Sequence, residues 1–544
     1  MKLTSHWLPN LNSLELILTP EILFDPEQTQ AYLSIYPPGL TSLSFRYISG
    51  RYKEYDDCPP GFVCELLRCV LKCCPRLREL NAYGDDFFLD DGIPEVWAVL
   101  ATSASLERIF WEWRWEDCTY QNSFHQAPLK LRSFQIFNGC ISSSLLSTLM
   151  KGCPDLTELG TQWFFDDDDL HVLTKVFPKL ELLDLGEFCD QKCNLKGQLK
   201  TLRLRSLDDY WPGPDNFLNL ASLNPQLSEI YIDCDCTDRK PDLSYLSTFS
   251  VIPSLRRIFF APFSCSGKFD KPAGVISDVE SLILESLDFE RKPALLFNLL
   301  SNSFCNLKHL KVDFYGEAKE DNDAVCLLKL PRLETITLLG SSCDERPCNL
   351  NLSLSAGANF HSLTLSIDAV CAWSMLGQSD LNRESLRRLE VPIPDDIHPL
   401  SQQFDSFIRL YCVCLTELTL HLGSPTISTK SFVAKALVET LRSLRRLEIV
   451  SLKSQSSPLF ESYFVGHRLH KFSEQLQTNK KIGSPSPQLF YSFRIRENGV
   501  VRLACGLEDA VGMKFVGRRN RLEISSVETI FISMTDLYCL DLTV

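Results

Sequence analysis

Residues 131–159, LRSFQIFNGCISSSLLSTLMKGCPDLTEL, contain one complete copy of the unit from which most of this chain is built. The unit opens with Leu131-x-x-Phe134-x-Ile136 and ends where the next copy of that phrase begins. The alternating apolar residues at its start predict a β-strand, because successive side chains of a strand point to opposite faces. The apolar ridge that begins at Leu145 has helical spacing and predicts a helical return segment.

The same apolar-x-x-apolar-x-apolar phrase occurs seventeen times, and its sixteen steps cover 433 residues, a mean period of about 27. The copies begin at Leu11, Leu40, Leu77, Leu106, Leu131, Leu156, Leu180, Leu199, Leu227, Leu255, Val279, Leu307, Leu333, Phe360, Leu386, Leu415 and Leu444. A period of roughly 20–29 residues with this phrase is typical of leucine-rich repeats, which stack into one continuous core. We therefore predict an α/β fold, a right-handed leucine-rich repeat solenoid, or horseshoe, with a parallel concave sheet and a helical convex side.

Cysteines recur at matching positions of several units. They stand at Cys74 before Leu77, at Cys140 and Cys153 in the quoted unit, and at Cys412 and Cys414 before Leu415. These units resemble the cysteine-containing leucine-rich repeats of intracellular F-box proteins. The resemblance implies a non-enzymatic protein-recognition scaffold, similar to the substrate-binding part of an F-box receptor for a ubiquitin ligase. It also implies the Skp and cullin components of that ligase as partners.

One short segment is similar to the opening of an F-box. Residues 18–23, LTPEIL, follow the first strand directly, and Leu40 starts the next unit before a complete F-box could be accommodated. We interpret this segment as a loop and expect no F-box in the chain. The alternative function is a stand-alone binder or inhibitor that resembles ribonuclease inhibitor and has no link to a ligase.

The composition is that of an acidic, folded protein. The net charge of −14 argues against a nucleic-acid partner, because binding to a phosphate backbone requires a basic surface. No apolar run approaches the ~18 residues of a membrane-spanning helix, so we expect no membrane insertion. Residues 1–9 lack the apolar core of a secretion signal, which favours a cytoplasmic or nuclear location. In that setting we expect Cys74, Cys140 and Cys153 to be buried thiols.

The repeat pattern weakens towards the C-terminus. We assign residues 1–450 to a solenoid of about 17 irregular units, and residues 451–544 to a connector and a β-rich cap or degenerate repeats. Within the second part, the alternating segments 490–496 and 500–503 predict a β-hairpin. The phrase Val527-x-x-Ile530-x-Ile532 indicates a degenerate repeat.

No catalytic or metal-binding motif stands out. The sequence has no Gly-rich phosphate loop, no His-Glu-x-x-His and no Gly-x-Ser-x-Gly. Close cysteine pairs such as Cys343-x4-Cys348 lack the Cys-x2-Cys spacing of a tetrahedral zinc site. The acidic run Asp166 to Asp169 precedes apolar residues at helical spacing, which favours a helix start over a calcium loop. We predict no enzymatic activity, no cofactor and no metal ion.

The residues between the repeat apolars are the candidate partner-binding residues, because period-two geometry places them on the concave face. They are Arg203, Arg205, Tyr231, Arg257, Phe259, Arg108 and Phe110. Arginine and tyrosine in such a row suit a protein partner, particularly an acidic or phosphorylated peptide, although solvated strand faces are often charged without a binding role. Trp111 is predicted in the core, while Trp113 and Trp115 fall where that strand exits.

Overall fold

The computed structural model describes residues 12–18, 38–47, 62–83, 88–89, 93–112, 114–115, 130–141, 146, 149, 151–164, 173, 177–186, 196–205, 213–233, 241–264, 276–288, 293–315, 326–341, 352–367, 369–381, 384–393, 414–422, 449–454, 488–497, 500–507 and 529–533. The chain divides into two compact units. Unit 1 comprises residues 1–239 with 511–544, and unit 2 comprises residues 240–510. The boundary that the sequence suggests at residue 450 stays a prediction.

Unit 1 is built on a parallel sheet. Its strands are β1 (Ser13–Leu18), β2 (Ser42–Tyr47), β3 (Glu79–Tyr83), β4 (Phe88–Leu89), β5 (Arg108–Trp111), β6 (Arg114–Trp115), β7 (Ser133–Ile141), β8 (Glu158–Phe164), β9 (Leu182–Leu185), β10 (Thr201–Leu204) and β11 (Glu229–Asp233). From β1 to β11 successive strands pair in parallel, except that the short β4 and β6 pair with each other. The helices are α1 (Phe62–Cys73), α2 (Ile93–Leu100) and α3 (Pro214–Leu223).

The predicted repeat register is confirmed. Leu159, Leu183 and Leu202 are aligned on neighbouring strands, and none of these side chains is exposed to solvent. The leading apolar residue of every copy from Leu40 to Leu415 is also buried, whereas Leu11 and Leu444 lie outside the described residues. The fold is therefore an α/β leucine-rich repeat stack, stabilised by apolar layers that continue from one repeat to the next.

Unit 2 repeats the same architecture. Its strands are β12 (Arg257–Ala261), β13 (Ser281–Asp288), β14 (His309–Tyr315), β15 (Cys326–Leu330), β16 (Thr335–Ser341), β17 (Leu352–Ala356), β18 (Ser362–Ser366), β19 (Arg388–Ile393), β20 (Glu417–Leu422), β21 (Ile449–Ser454), β22 (Gln488–Glu497) and β23 (Val500–Leu507). Its helices are α4 (Leu243–Ser250), α5 (Pro293–Ser303) and α6 (Ala369–Gln378). Strands β22 and β23 pair antiparallel, which confirms the predicted hairpin.

The sequence analysis predicts a helical convex side for the stack, but two return segments of unit 2 are strands. β15 pairs in parallel with β17, apart from the main sheet. In both segments buried residues alternate with solvent-facing ones: Leu328 and Leu330 are buried, whereas Leu327 is exposed. A strand places alternate residues on one face, so it can bury these leucines together. Ser301 of α5 and Ser379 after α6 bond to the outer edges of this small sheet: the Lys329 and Leu354 amides donate to their hydroxyls at 2.9 and 3.0 Å.

The C-terminal phrase returns to unit 1. Strand β24 (Thr529–Ser533) pairs in parallel with β1, and Ile530 and Ile532 align with Leu14 and Leu16. This is the register of a repeat strand, as the phrase predicts.

The cysteine prediction is confirmed where the structure describes the side chains. Cys74 and Cys153 are buried thiols, and burial raises the pKa of each to about 12. The side chain of Cys140 lies outside the described residues.

Candidate functional site

Alternation along the strands sends the residues between the repeat apolars to the opposite face of each sheet, which we call the outer face. On β5, Ile109 and Trp111 are buried, as predicted for Trp111. Arg108 is exposed and Phe110 is half-buried on the other side. Trp113 lies outside the described residues, and of Trp115 only the backbone, in β6, is described.

In unit 1 the structure brings Arg203 and Arg205 together around one carboxylate. The Nε and Nη2 atoms of Arg205 donate to the two carboxylate oxygens of Asp184, each at 3.1 Å. Nη1 of Arg203 lies 3.8 Å from the same carboxylate. The Asp184 side chain is fully buried, while the two arginine side chains keep 35% and 38% of their surface exposed. One buried negative charge therefore holds two half-exposed guanidinium groups in place.

Tyr231 extends this cluster. The Arg203 guanidinium lies 5.0 Å from the centre of the Tyr231 ring, within cation–π range. The Tyr231 hydroxyl donates to Glu229 at 3.2 Å, so the ring is held from its far end. Three of the five sequence-predicted residues of unit 1 thus form one network, namely Arg203, Arg205 and Tyr231. Together with Asp184 we call them the arginine cluster.

Asp184 is the member that the sequence analysis missed. Burial raises the pKa of its carboxyl, and the nearby Arg205 and Arg203 act against that rise. The register contains the signal, since Asp184 is aligned with Arg203 on the next strand and with Gly160 on the previous one. A side chain at Gly160 would crowd the site, because its Cβ would lie 3.0 Å from Gln135 and 3.3 Å from Asp184.

A row of aromatic rings crosses the neighbouring strands on the same face. The Phe110 ring centre lies 5.0 Å from that of Tyr83 and 5.3 Å from that of Phe137. The Arg205 guanidinium lies 3.8 Å from the Phe137 ring centre and so joins this row to the arginine cluster. At the other end, Arg46 lies 5.7 Å from the Tyr83 ring centre. We call Tyr83, Phe110 and Phe137 the aromatic row.

Carboxylates surround the Tyr83 end of the aromatic row. Burial raises the pKa of the Tyr83 hydroxyl, and the negative charges of Glu79, Glu112 and Glu15 raise it further, while Arg46 lowers it. Arg46 itself donates to Glu15 at 2.7 Å. The outer face of unit 1 thus has an aromatic, carboxylate-rich end and an arginine-rich end.

The outer face of unit 2 carries the other two candidates. On β12, Arg257 is exposed and Phe259 is half-buried. Further along, polar side chains of neighbouring strands are in contact: Lys311 pairs with Glu285 at 2.5 Å, and His421 lies 2.6 Å from Glu390. Among the described residues of this face, no cluster of contacts combines neighbouring aromatic rings with two arginines on one carboxylate, as unit 1 does.

The described part of the chain contains neither a metal-binding cluster nor a membrane-spanning helix. No three His, Cys, Asp or Glu side chains there come together as metal ligands. No helix among the described residues is long and apolar enough to cross a membrane. The pair Cys343 and Cys348 and the acidic run Asp166 to Asp169 lie outside the described residues.

Comparison with known proteins adds little to this geometry. No protein-family model matches the sequence, and no curated protein matches it. Among solved structures, the chain is similar to TLR13 in its complex with ssRNA13, at 14% identity and a TM-score of 0.25. The similarity covers 88% of this chain and 67% of that one. At so low a TM-score, the strand register remains the basis of the fold assignment.

Proposed function

We propose that this protein is a non-enzymatic recognition scaffold that binds a protein partner on the outer face of unit 1. The observation that carries the proposal is the arginine cluster beside the aromatic row. Arginine and aromatic residues are enriched where protein interfaces concentrate their binding energy. Here both arginines and all the rings except the buried Phe137 are half-exposed, and Asp184 holds the arginines in position.

The arginine end favours an acidic or phosphorylated residue of that partner. Guanidinium groups bind carboxylates and phosphates through paired hydrogen bonds. Asp184 engages two donor atoms of Arg205, while Arg203 contacts the same carboxylate at 3.8 Å and keeps 35% of its side-chain surface exposed. Arg203 is therefore the member of the cluster that is available to an incoming anion, beside the Glu229 carboxylate that the Tyr231 hydroxyl binds.

Charge reversal of both arginines is a poor test, because Arg205 neutralises a buried carboxylate and its loss would perturb the fold. Arg203→Gln is cleaner, since the bidentate contact between Arg205 and Asp184 stays. We expect this variant to capture at least about fivefold less partner in quantitative affinity purification. The matched control is Arg68→Gln on the exposed side of α1. Equal capture by wild type and Arg203→Gln, with equal melting temperatures, would place recognition elsewhere.

We further propose that the partner is a substrate for ubiquitin transfer and that the protein acts inside the cell. The cysteine-containing repeats, which resemble those of F-box proteins, support this extension, as do the buried thiols Cys74 and Cys153. The test is whether Skp and cullin components co-purify with the full chain and whether the partner gains ubiquitin when they do. Partner capture without either component would favour the stand-alone binder.

A further inference from the structure

We infer that the outer face of unit 1 contains a second subsite, centred on Phe110, that binds an arginine or lysine side chain of the protein partner. This inference rests on the proposed function, because it adds a subsite to the same surface. The aromatic row binds a positively charged group of the partner, whereas the arginine cluster binds a negatively charged one.

The first support is that guanidinium groups of this chain already lie against both end rings of the row. Arg205 lies over Phe137 at 3.8 Å and Arg46 over Tyr83 at 5.7 Å. Phe110, between them, is half-buried and has no such group above it among the described residues. Its ring packs between the half-exposed Tyr83 and the buried Phe137, and an aromatic ring that keeps part of its face exposed attracts cations.

The second support is charge. Glu79 and Glu112 are half-exposed on the same face as Phe110, and both act on Tyr83 strongly enough to raise its pKa. Arg46 offsets Glu15, to which it is bonded, and Arg108 is an exposed positive charge on the same strand as Phe110. These five groups sum to one negative charge, and the nearby Arg205 is neutralised by its two hydrogen bonds to Asp184. The site therefore favours a cation, and the aromatic ring adds to that preference.

Strand spacing sets the distance between the two subsites. Phe110 is linked to Arg203 by four successive register positions, through Gln135, Gly160 and Asp184. Neighbouring strands lie ~4.8 Å apart, so the two subsites are roughly 19 Å apart, which an extended chain covers in about six residues. We therefore expect the bound segment to carry a basic residue and an acidic or phosphorylated residue about six positions apart.

The test uses fluorescein-labelled nona-arginine and the matching nona-citrulline peptide, which keeps the side-chain shape but lacks the charge. By fluorescence anisotropy at low salt, we expect the arginine peptide to bind full-length protein at least about tenfold tighter than the citrulline peptide. The double variant Glu79→Gln/Glu112→Gln should weaken arginine-peptide binding about fivefold. Phe110→Leu, which keeps most of the apolar bulk, should weaken it about threefold.

The matched control is Glu65→Gln/Glu95→Gln, which makes the same change of net charge on exposed positions of α1 and α2. Equal weakening by the control pair, or equal binding of the two peptides, would overturn the inference and indicate attraction by net charge alone. These outcomes are distinct from failure of the proposed function, because partner capture by Arg203→Gln is measured without the peptides. If Arg203→Gln captures less partner but the protein binds the two peptides equally, the proposed scaffold function is supported and this subsite is refuted.

Discussion

At the scale of single residues, the site is decided by Asp184. Arg203 and Arg205 lie on the outer face, as the repeat pattern predicts. Their positions depend on the carboxylate of Asp184, which the repeat pattern does not distinguish from other variable residues. Desolvation disfavours the charged form of Asp184, and the two arginines compensate. Such a buried charge is stable only while its partners remain.

Removing Arg205 should therefore destabilise the fold in a pH-dependent way. In Arg205→Met the carboxyl of Asp184 loses its bidentate partner, and its pKa, already above the ordinary 3.8, should rise further. A carboxyl whose pKa is raised in the folded state contributes stability below its unfolded pKa and loses it as pH rises through the folded value. We expect a loss of roughly 1–3 kcal/mol at pH 7 and a smaller loss near pH 4, measured by urea unfolding. Arg68→Met, at an exposed position of α1, is the control and should change little. A pH-independent loss in Arg205→Met would contradict this account of Asp184.

At the scale of elements, the repeat strands of both units follow from the sequence, because an apolar period of about 27 residues admits one strand per repeat. The return segments do not follow so directly. Residues 326–330 and 352–356 are so short that their alternating pattern is easily overlooked in the sequence. In the structure, the hydrogen bonds that their amides donate to Ser301 and Ser379 fix the two segments as strands of the small sheet. The aromatic row is also missed, since Tyr83, Phe110 and Phe137 belong to different repeats and meet only through register.

The turn after β17 offers a test at this scale. A Cβ at Gly357 would lie 1.9 Å from the Pro331 carbonyl oxygen in the turn of the preceding repeat. Backbone atoms must move to admit it, so we expect Gly357→Ala to destabilise the protein by roughly 1–3 kcal/mol. Gly377→Ala, in α6, has no atom within 4 Å of the added Cβ and should be neutral or stabilise by up to about 1 kcal/mol. Equal midpoints for the two variants in urea unfolding would show that the repeats do not stack as closely as described.

At the scale of the whole molecule, stability is the sum of contacts between neighbouring repeats. Truncating Leu159, Leu183 or Leu202 to Ala should therefore open a cavity in one layer and lower the free energy of unfolding by roughly 2–5 kcal/mol each. Leu218→Ala, at a position 37% exposed on α3, is the control and should cost less than about 1 kcal/mol. Wild-type midpoints for all three core variants in denaturant melts would refute the register.

The central claim is that partners bind to the outer face of unit 1 and not to its helices, and site-specific photo-crosslinking tests it most directly. A p-benzoylphenylalanine would replace Tyr231 on the outer face or, in a second variant, Leu218 on α3 of the same unit. The crosslinked products would be identified by mass spectrometry after affinity purification of the full chain. We predict that the partner crosslinks from position 231 and not from position 218. Crosslinks from position 218 alone would contradict the account.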